Sequence, residues 1–345
     1  MKIIHIESGL GNQMLSFCEY LAIKKMNPQD DCYIETITYD IAQCNEVICQ
    51  WNGYELQEIF GIDVPNIQSY FTPEQWAQII DDIKKSEYWL KNWNYPVYYC
   101  EAFRRAGLQI ENRRGDFEAP RSTYKTTLST PRYKGTFLFQ YLNFLRKKYL
   151  KKTTMYAVSS PELFIKSDEN IFTGQQLTFK NIGSGIEQID SEIRAAFKFP
   201  EISDEKNQNA IHEMSSIESV AIHTRRGDML GYNFDCYYGG YFRRCMKYIK
   251  SVIPNPRFYI FCDTDSVEWA RHNGRVLGLD FNKDHVSFID WNTGKDSWRD
   301  MQLMASCKHQ VVTRSSFGWW AAYLNTNPDK ITCSPDQHTN TTHHF

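Results

Sequence analysis

The sequence predicts an α/β protein with a doubly wound parallel sheet and a second domain, on three observations. After residue 205, short runs of continuous apolar residues alternate with helical stretches, the pattern of strands covered by helices on both faces. The chain also opens on a β-run, a glycine-rich turn and a helix. Its 345 residues, at roughly 150 per domain, suggest about two domains, each large enough to bury a core.

Composition narrows the function classes. The 39 Lys+Arg against 41 Asp+Glu leave a formal charge of -2, with a pI near 6.5. No global field is available to hold nucleic acid or an anionic membrane, so any bound anion must be met by a local site. Hydrophobic residues make up 42%, with 21 Tyr, 21 Phe and 9 Trp, which describes a folded chain and not a disordered one. His5, Glu7 and Asn12 interrupt the first apolar stretch, which therefore lacks a signal-peptide core. No run reaches the roughly 18 apolar residues of a membrane helix, and a soluble, cytoplasmic protein is expected. Ten cysteines without CxxC pairs or zinc spacing read as reduced, buried thiols.

Taken in order, Lys2 to Ile6 reads as a strand. Gly9-Leu10-Gly11-Asn12-Gln13 reads as a turn, followed by a helical pattern through Met14, Leu15, Cys18, Leu21 and Ala22. Pro73 to Trp93 reads as a helix with Pro at its first position. Tyr95 to Phe117 reads as short strands with basic connections, and Tyr133 to Lys152 as mixed, aromatic and basic. Ile189 to Phe199 is helical in pattern. Pro200 to Gln208 is polar and turn-rich, which makes it the linker and puts the domain boundary near 205, dividing 1–205 from 206–345. Beyond it, strands are expected at Ser219–His223, Arg257–Phe261, Val286–Ile289 and Gln310–Thr313. Helices are expected at Tyr241–Ser251, Ser266–Asn273, Asp300–Cys307 and Phe317–Leu324. In such a sheet, ligands lie beyond the carboxyl ends of the strands.

Three constellations stand at those ends. Val220 to Asp228 (VAIHTRRGD) delivers His223, Arg225 and Arg226, and guanidinium forks suit a diphosphate leaving group at any working pH. The plainer reading is a surface salt-bridge cluster. The letters RRGD recur at Arg113-Arg114-Gly115-Asp116, a decoy with Glu111 where His223 stands. Second, Arg257 to Asp265 ends in Asp263 and Asp265, which could chelate a metal, accept hydrogen bonds from a nucleoside, or cap the next helix. A site already supplied with two arginines needs no metal to neutralise a diphosphate, so the metal-free reading is favoured. Third, Thr313 to Leu324 places Ser315, Ser316 and Phe317 at a helix N-terminus, suited to a phosphate or simply to capping. Trp319 and Trp320 read as core. The Gly9-x-Gly11 turn lacks the third glycine of a dinucleotide fingerprint, with Met14 in its place, and there is no Walker lysine, HExxH or GxSxG elbow.

These residues resemble the α-1,2-fucosyltransferases of glycosyltransferase family 11. The resemblance lies in GLGNQM at 9–14, HTRRGD at 223–228, FCDTDSVEW at 261–269, DMQLMASCKH at 300–309 and SSFGWWAAYL at 315–324. It is close from about 189 to 335 and poor from about 25 to 170, where an acceptor site is expected. It implies a GT-B-like fold of two Rossmann-like domains facing a cleft, with the last helix able to cross back. The implied reaction is inverting, metal-independent transfer from GDP-β-L-fucose to the 2-hydroxyl of a terminal galactose. By position, Arg225 would be the main diphosphate ligand and Arg226 its support, while His223 and one of Asp263 and Asp265 would contact the nucleoside. Ser315, Ser316 and the Phe317 N–H would hold the β-phosphate. Gly9 and Gly11 would bring the backbone near the donor, and Asn12 would stand beside donor phosphate and acceptor.

Beyond the donor, the resemblance implies a galactose-terminated oligosaccharide or a lipid-linked glycan as acceptor, in a bacterial surface-polysaccharide role. It allows peripheral membrane association and leaves the oligomeric state open. No cofactor is implied. Arg314 and Gly318 replace the family's usual Asn and Ser, the acidic turn is longer than usual, and an aromatic segment is only echoed at Phe172 to Gln176. For the base that deprotonates the acceptor, Asp228 ranks first, then Glu7 and His5; a dissociative transition state would need none, leaving Asp228 to orient the arginines.

Overall fold

The computed structural model describes residues 1–44, 52–90, 95–113, 163–174 and 177–345, with 138, 141, 142 and 145 between them. They divide into two compact units. One holds the described residues up to 113, those from 163 to 179 and 183–198; the other holds 180–182, 199–345 and the four isolated positions.

The first unit is built on a parallel sheet of order β2-β1-β4-β3, formed by β1 (Lys2–His5), β2 (Cys32–Glu35), β3 (Glu111–Asn112) and β4 (Ile171–Gly174). β1 is buried along its whole length, Lys2 included. Its Nζ is met by the Ser167 and Glu169 carbonyls and by the Asp30 carboxylate, so the buried polar group is not left unpaired. Helix α1 (Leu10–Met26) follows β1 and is buried on almost every side. It starts earlier than the turn reading implied: Gly9 is its N-cap, and Gly11, Asn12 and Gln13 lie in its first turn. Gly174 pairs with His5, and any Cβ there would strike the His5 backbone at 2.5 Å, so glycine is what lets β4 lie against β1.

Helix α2 (Pro73–Ser86) begins as expected, with Pro73 in its first turn and a Thr72–Gln75 capping box, and ends where Glu87 turns left-handed at φ 46°. A short 3₁₀ turn, Tyr88–Leu90, takes the place of the rest of the expected helix up to 90. The expectation of strands over Tyr95 to Phe117 is corrected: Tyr95–Arg105 is helix α3, and among the described residues of this stretch only Glu111–Asn112 is strand. Aromatic residues favour strands locally, but Tyr99, Ala102 and Phe103 recur at helical spacing and bury together in the unit's core with Ile79, Ile83 and Phe172, and that packing decides. The stretch Tyr133 to Lys152, apart from the four isolated positions, lies outside the described residues, as do Arg114 to Asp116 of the decoy. Arg113 pairs on the surface with Glu169.

The second unit carries a six-stranded, all-parallel sheet of order β10-β9-β8-β5-β6-β7. Its strands are β5 (Ser219–Thr224), β6 (Arg257–Cys262), β7 (His285–Ile289), β8 (His309–Val312), β9 (Thr332–Ser334) and β10 (His343–His344). The first four lie where the apolar runs put them: β5, β6 and β8 are almost wholly buried and so legible as continuous hydrophobic sequence, and β7 is a half-exposed edge strand. β9 and β10 are too short to show. Helices α4 (Glu205–Ser216), α5 (Phe234–Tyr238), α6 (Tyr241–Val252), α7 (Val267–His272), α8 (Arg299–Ser306) and α9 (Ser316–Leu324) connect them. The Pro200 to Gln208 linker is corrected to a short approach to α4, whose N-terminus is capped by the Asp204 carboxylate accepting from the Asn207 N–H at 2.9 Å. Trp319 and Trp320 are core. The nine described cysteines form no disulfide, and all but Cys262 are buried.

The six-stranded sheet reverses direction once: the chain lays β6 and β7 on one side of β5 and then crosses to β8. In the four-stranded sheet it lays β2 on one side of β1, crosses to β3 at the far edge, and returns to put β4 on the other side of β1. Crevices at the carboxyl ends of strands flanking such a reversal are where parallel α/β sheets bind ligands.

Candidate active site

In the second unit, the reversal between β5 and β8 gathers most of the residues the sequence singled out. His223 pairs with Phe261 of β6 and Val312 of β8, so at the end of β5 Arg225 comes level with Asp263 on one side and Thr224 with Thr313 on the other. The Arg225 guanidinium is held by two carboxylates, an ion pair from Nη1 to Asp263 Oδ1 and another from Nη2 to Asp228 Oδ1 at 2.9 Å. Its backbone N–H donates to Thr313 Oγ1 at 3.2 Å, and its carbonyl accepts from Asn233 Nδ2 at 3.1 Å. Asp263 spends its other oxygen on the Arg226 N–H at 2.8 Å. The result is a guanidinium fixed in plane and position while still partly exposed, the preorganisation an anion site requires. The Arg226 guanidinium lies 4.5 Å from the centre of the Trp269 ring on α7, a cation–π seat, and its Nε is buried without a partner among the described residues.

His223 is buried, and its Nδ1 likewise finds no partner among the described residues. Burial pushes its imidazole down to about 4, with the Asp263 charge opposing and the Arg225 charge assisting, so the ring is neutral at physiological pH. It packs against the first turn of α9, where a Cβ at Gly318 would collide with its Nδ1. That explains glycine at 318, a departure from the family pattern: no larger residue leaves room for this ring. Ser315 is the N-cap of α9 but makes no side-chain capping bond, and Ser315, Ser316 and Phe317 are all partly exposed. The positive end of the helix dipole is therefore presented at the same strand ends as Arg225.

Asp263 and Asp265 differ in their surroundings, and Arg314 has a partner of its own. Asp263 is the carboxylate integrated with the arginines, whereas Asp265 is exposed in a 3₁₀ turn and does not cap α7, whose N-cap is Ser266. Arg314 is bidentate to Asp235, at 2.6 and 2.9 Å, and its N–H is held by Asn233. Burial opposes its charge, but Asp235 outweighs that and raises its pKa. One residue was quoted only inside a motif and given no role: Asp300, at the start of α8. Burial pushes its carboxyl up to about 7 against a 2.8 Å hydrogen bond from Asn292, which is itself tied to Asn207. A single aspartate ahead of an apolar helix gives no sequence signal of such burial.

In the first unit, Gly9 and Gly11 bracket the start of α1, and the Asn12 Nδ2 donates to Ser8 Oγ at 3.3 Å. His5, Glu7 and Glu35 gather here in a buried cluster. His5 and Glu35 face each other in register across β1 and β2. His5 Nδ1 bonds Glu35 Oε2, and His5 Nε2 bonds Glu7 Oε2 at 3.1 Å. Burial by itself would lower the His5 pKa, but Glu35 first and then Glu7 overturn it and raise it to about 9. Sequence reading named His5 and Glu7 and missed Glu35, which only the parallel register brings alongside. No group of three or more metal-ligating side chains that could hold an ion occurs among the described residues, nor is any described helix long and apolar enough to cross a membrane.

Comparison with known proteins agrees with this geometry. Residues 187–343, which include the whole β5–β8 site, match the model of glycosyl transferase family 11. An O-antigen biosynthesis glycosyltransferase, WbnK, of Escherichia coli is 29% identical over 122 residues, 34% of this chain and 38% of that protein. An α-1,2-colitosyltransferase of Escherichia coli is 31% identical over 123 residues, 34% of this chain and 40% of its own. Galactoside α-(1,2)-fucosyltransferase 1 of Saimiri sciureus is 32% identical over 110 residues, 30% of this chain and 28% of its own. The chain thus spans well under half the length of the curated relatives it matches. Each of the two units is an α/β unit built on a parallel sheet.

Proposed function

We propose, for a chain whose residues 187–343 match the model of glycosyl transferase family 11, that it transfers L-fucose from GDP-β-L-fucose to the 2-hydroxyl of a galactose-terminated glycan, inverting the anomeric centre. The observation that carries the reading is Arg225, clamped by Asp228 and Asp263 at the reversal of the sheet beside the N-terminus of α9. Charge grows on the β-phosphate as the sugar–phosphate bond breaks, and a prefixed guanidinium and helix terminus stabilise that charge more in the transition state than in the ground state.

In this reading Arg225 is the principal diphosphate ligand, with Arg226 in support. Ser315, Ser316 and the Phe317 N–H hold the β-phosphate. Neutral His223, with an unpartnered ring nitrogen, meets the nucleoside. The buried carboxyl of Asp300 is a further candidate to meet the guanine, which presents two adjacent N–H donors that match a carboxylate. Asp228, paired to Arg225, orients that arginine. Asp263 has both oxygens committed to Arg225 and Arg226, which supports transfer without a metal. The acceptor is a galactose-terminated oligosaccharide or lipid-linked glycan, met in a bacterial cytoplasm.

The test is GDP release from GDP-fucose across galactose-terminated acceptors, in EDTA and in manganese, with GDP-mannose as control. Release that needs GDP-fucose and a galactoside and ignores EDTA is expected. Inhibition by EDTA would overturn metal independence. A colitosyltransferase among the similar proteins makes GDP-colitose the second donor to run, and its preference over GDP-fucose would move the assignment to the deoxy sugar.

A further inference from the structure

A second cavity opens at strand ends of the second unit, on the side of β8 away from Arg225. The segments leaving β8 (Thr313 to Ser315) and β9 (Ser334 to Asp336) wall a partly open space of about 20 Å3, and Lys180, Tyr232 and Trp319 complete its lining. All of these residues belong to the second unit, and His223, Arg225 and Asp263 take no part in the lining. We propose that this cavity binds one small monovalent anion of the chloride class, held by the Lys180 ammonium and by the indole and hydroxyl donors around it.

Size limits the occupant. About 20 Å3 admits a single particle of water or halide size, so the cavity is not a further seat for a nucleotide phosphate. Charge then chooses between water and halide. Lys180 lies largely out of solvent, and its ammonium has neither an ion pair nor a hydrogen bond among the described residues. Its backbone is fastened at the edge of the cavity: the Lys180 carbonyl accepts from the Asn340 N–H at 2.8 Å, and the Ile182 N–H donates to the His338 carbonyl at 2.8 Å. The neighbouring charges do not compensate it. Arg314 is already saturated by Asp235. Asp336 spends Oδ1 on the His338 N–H at 2.9 Å and forms no ion pair with Lys180 among the described residues. Burial lowers the Lys180 pKa, with Asp336 opposing and Arg314 assisting, and an anion in the cavity would offset that cost.

The other polar groups of the lining are short of acceptors. Trp319 is 2% exposed, and its Nε1, a donor only, is buried without a partner among the described residues. The Ser315 side chain makes no capping bond. Thr313 Oγ1 accepts from the Arg225 N–H, which leaves its own proton to donate. A water has two lone pairs and two protons, so it cannot accept from an ammonium, an indole and two hydroxyls at once. A monatomic anion accepts from every direction and has no proton to place. It would join the ends of β8 and β9 to Lys180 while leaving the Arg225 guanidinium untouched, and the inference does not depend on which sugar the protein transfers.

The experiment replaces gluconate by chloride at constant ionic strength and follows the chloride NMR line width and the thermal midpoint of wild type, Lys180→Met and Tyr232→Phe. Wild type is expected to broaden the chloride line saturably and to gain in midpoint over the same range. Lys180→Met is expected to weaken chloride binding about tenfold or more, as for loss of a charged hydrogen bond, and Tyr232→Phe about threefold. A crystal soaked in bromide is expected to show its anomalous signal within hydrogen-bond reach of Lys180 Nζ. Wild-type midpoints and line widths indifferent to chloride would overturn the proposal and leave water as the occupant, as would Lys180→Met binding chloride within twofold of wild type. Should Lys180→Met fail to fold, a bromide crystal with no signal in the cavity would overturn it equally.

Discussion

His5 and His223 occupy equivalent places in the two units, buried at the carboxyl end of the strand where each sheet reverses, yet they are in opposite charge states. His5 stands between Glu35 and Glu7 and is raised to about 9; His223 stands beside Arg225, with Asp263 already shared by the arginines, and is lowered to about 4. Burial pushes both down, and only the neighbours differ. The lesson is that topology chooses where a site forms, and the residues that follow the strand choose its chemistry. One unit offers guanidinium groups and a helix N-terminus at the strand ends, the other an imidazole held between two carboxylates.

The sharpest way to break this comparison is to remove the cation. Arg225→Ala should cost on the order of 3 kcal/mol or more of transition-state stabilisation, near a hundredfold in kcat, read by GDP-release kinetics at saturating acceptor. A loss under fivefold would detach the β5–β8 site from the chemistry. On the other side, the imidazole of His5 in the folded chain keeps its proton to about pH 9, whereas unfolded it loses it near 6.5. Its contribution, on the order of 3 kcal/mol, is therefore fully present below pH 6.5 and lost as pH rises through about 9. Urea unfolding of wild type and His5→Gln at pH 6 and pH 9 measures it, and a stability difference equal at both would contradict the raised value.

Smaller effects separate the aspartates. Asp263→Asn removes the charge that fixes Arg225 and should cost about 2 kcal/mol in kcat/KM, while Asp265→Asn, in an exposed turn, should stay within about 0.5 kcal/mol. Steady-state kinetics on both variants checks the pair, and equal losses would place Asp265 in the site after all. Asp228→Asn should lose about tenfold with the shape of its pH profile unchanged, as expected of a residue that orients Arg225. A pH-dependent loss would return it to the role of base.

How much was legible follows from the same contrast. The second unit reads well because β5, β6 and β8 are almost wholly buried and appear, with the half-exposed edge strand β7, as apolar runs, and the reactive residues come just after β5, β6 and β8. The first unit reads poorly because its chemistry depends on pairing. Glu35 ends a four-residue strand, β2, with no motif around it, and it reaches His5 only through parallel register. Tyr95–Arg105 was mistaken for strand because aromatic residues carry a local preference that packing overrules. Asp300 and Gly318 were visible as letters, but their roles, a carboxyl buried under Asn292 and a gap for the His223 ring, exist only once the chain is folded.

The most direct test of the central claim is a calorimetric titration of GDP into wild type, Arg225→Ala and Glu7→Gln. The account predicts that the Arg225 variant loses at least tenfold in affinity while the Glu7 variant binds as wild type does, because the nucleotide belongs to the β5–β8 reversal alone. Unaltered GDP binding by Arg225→Ala would contradict it.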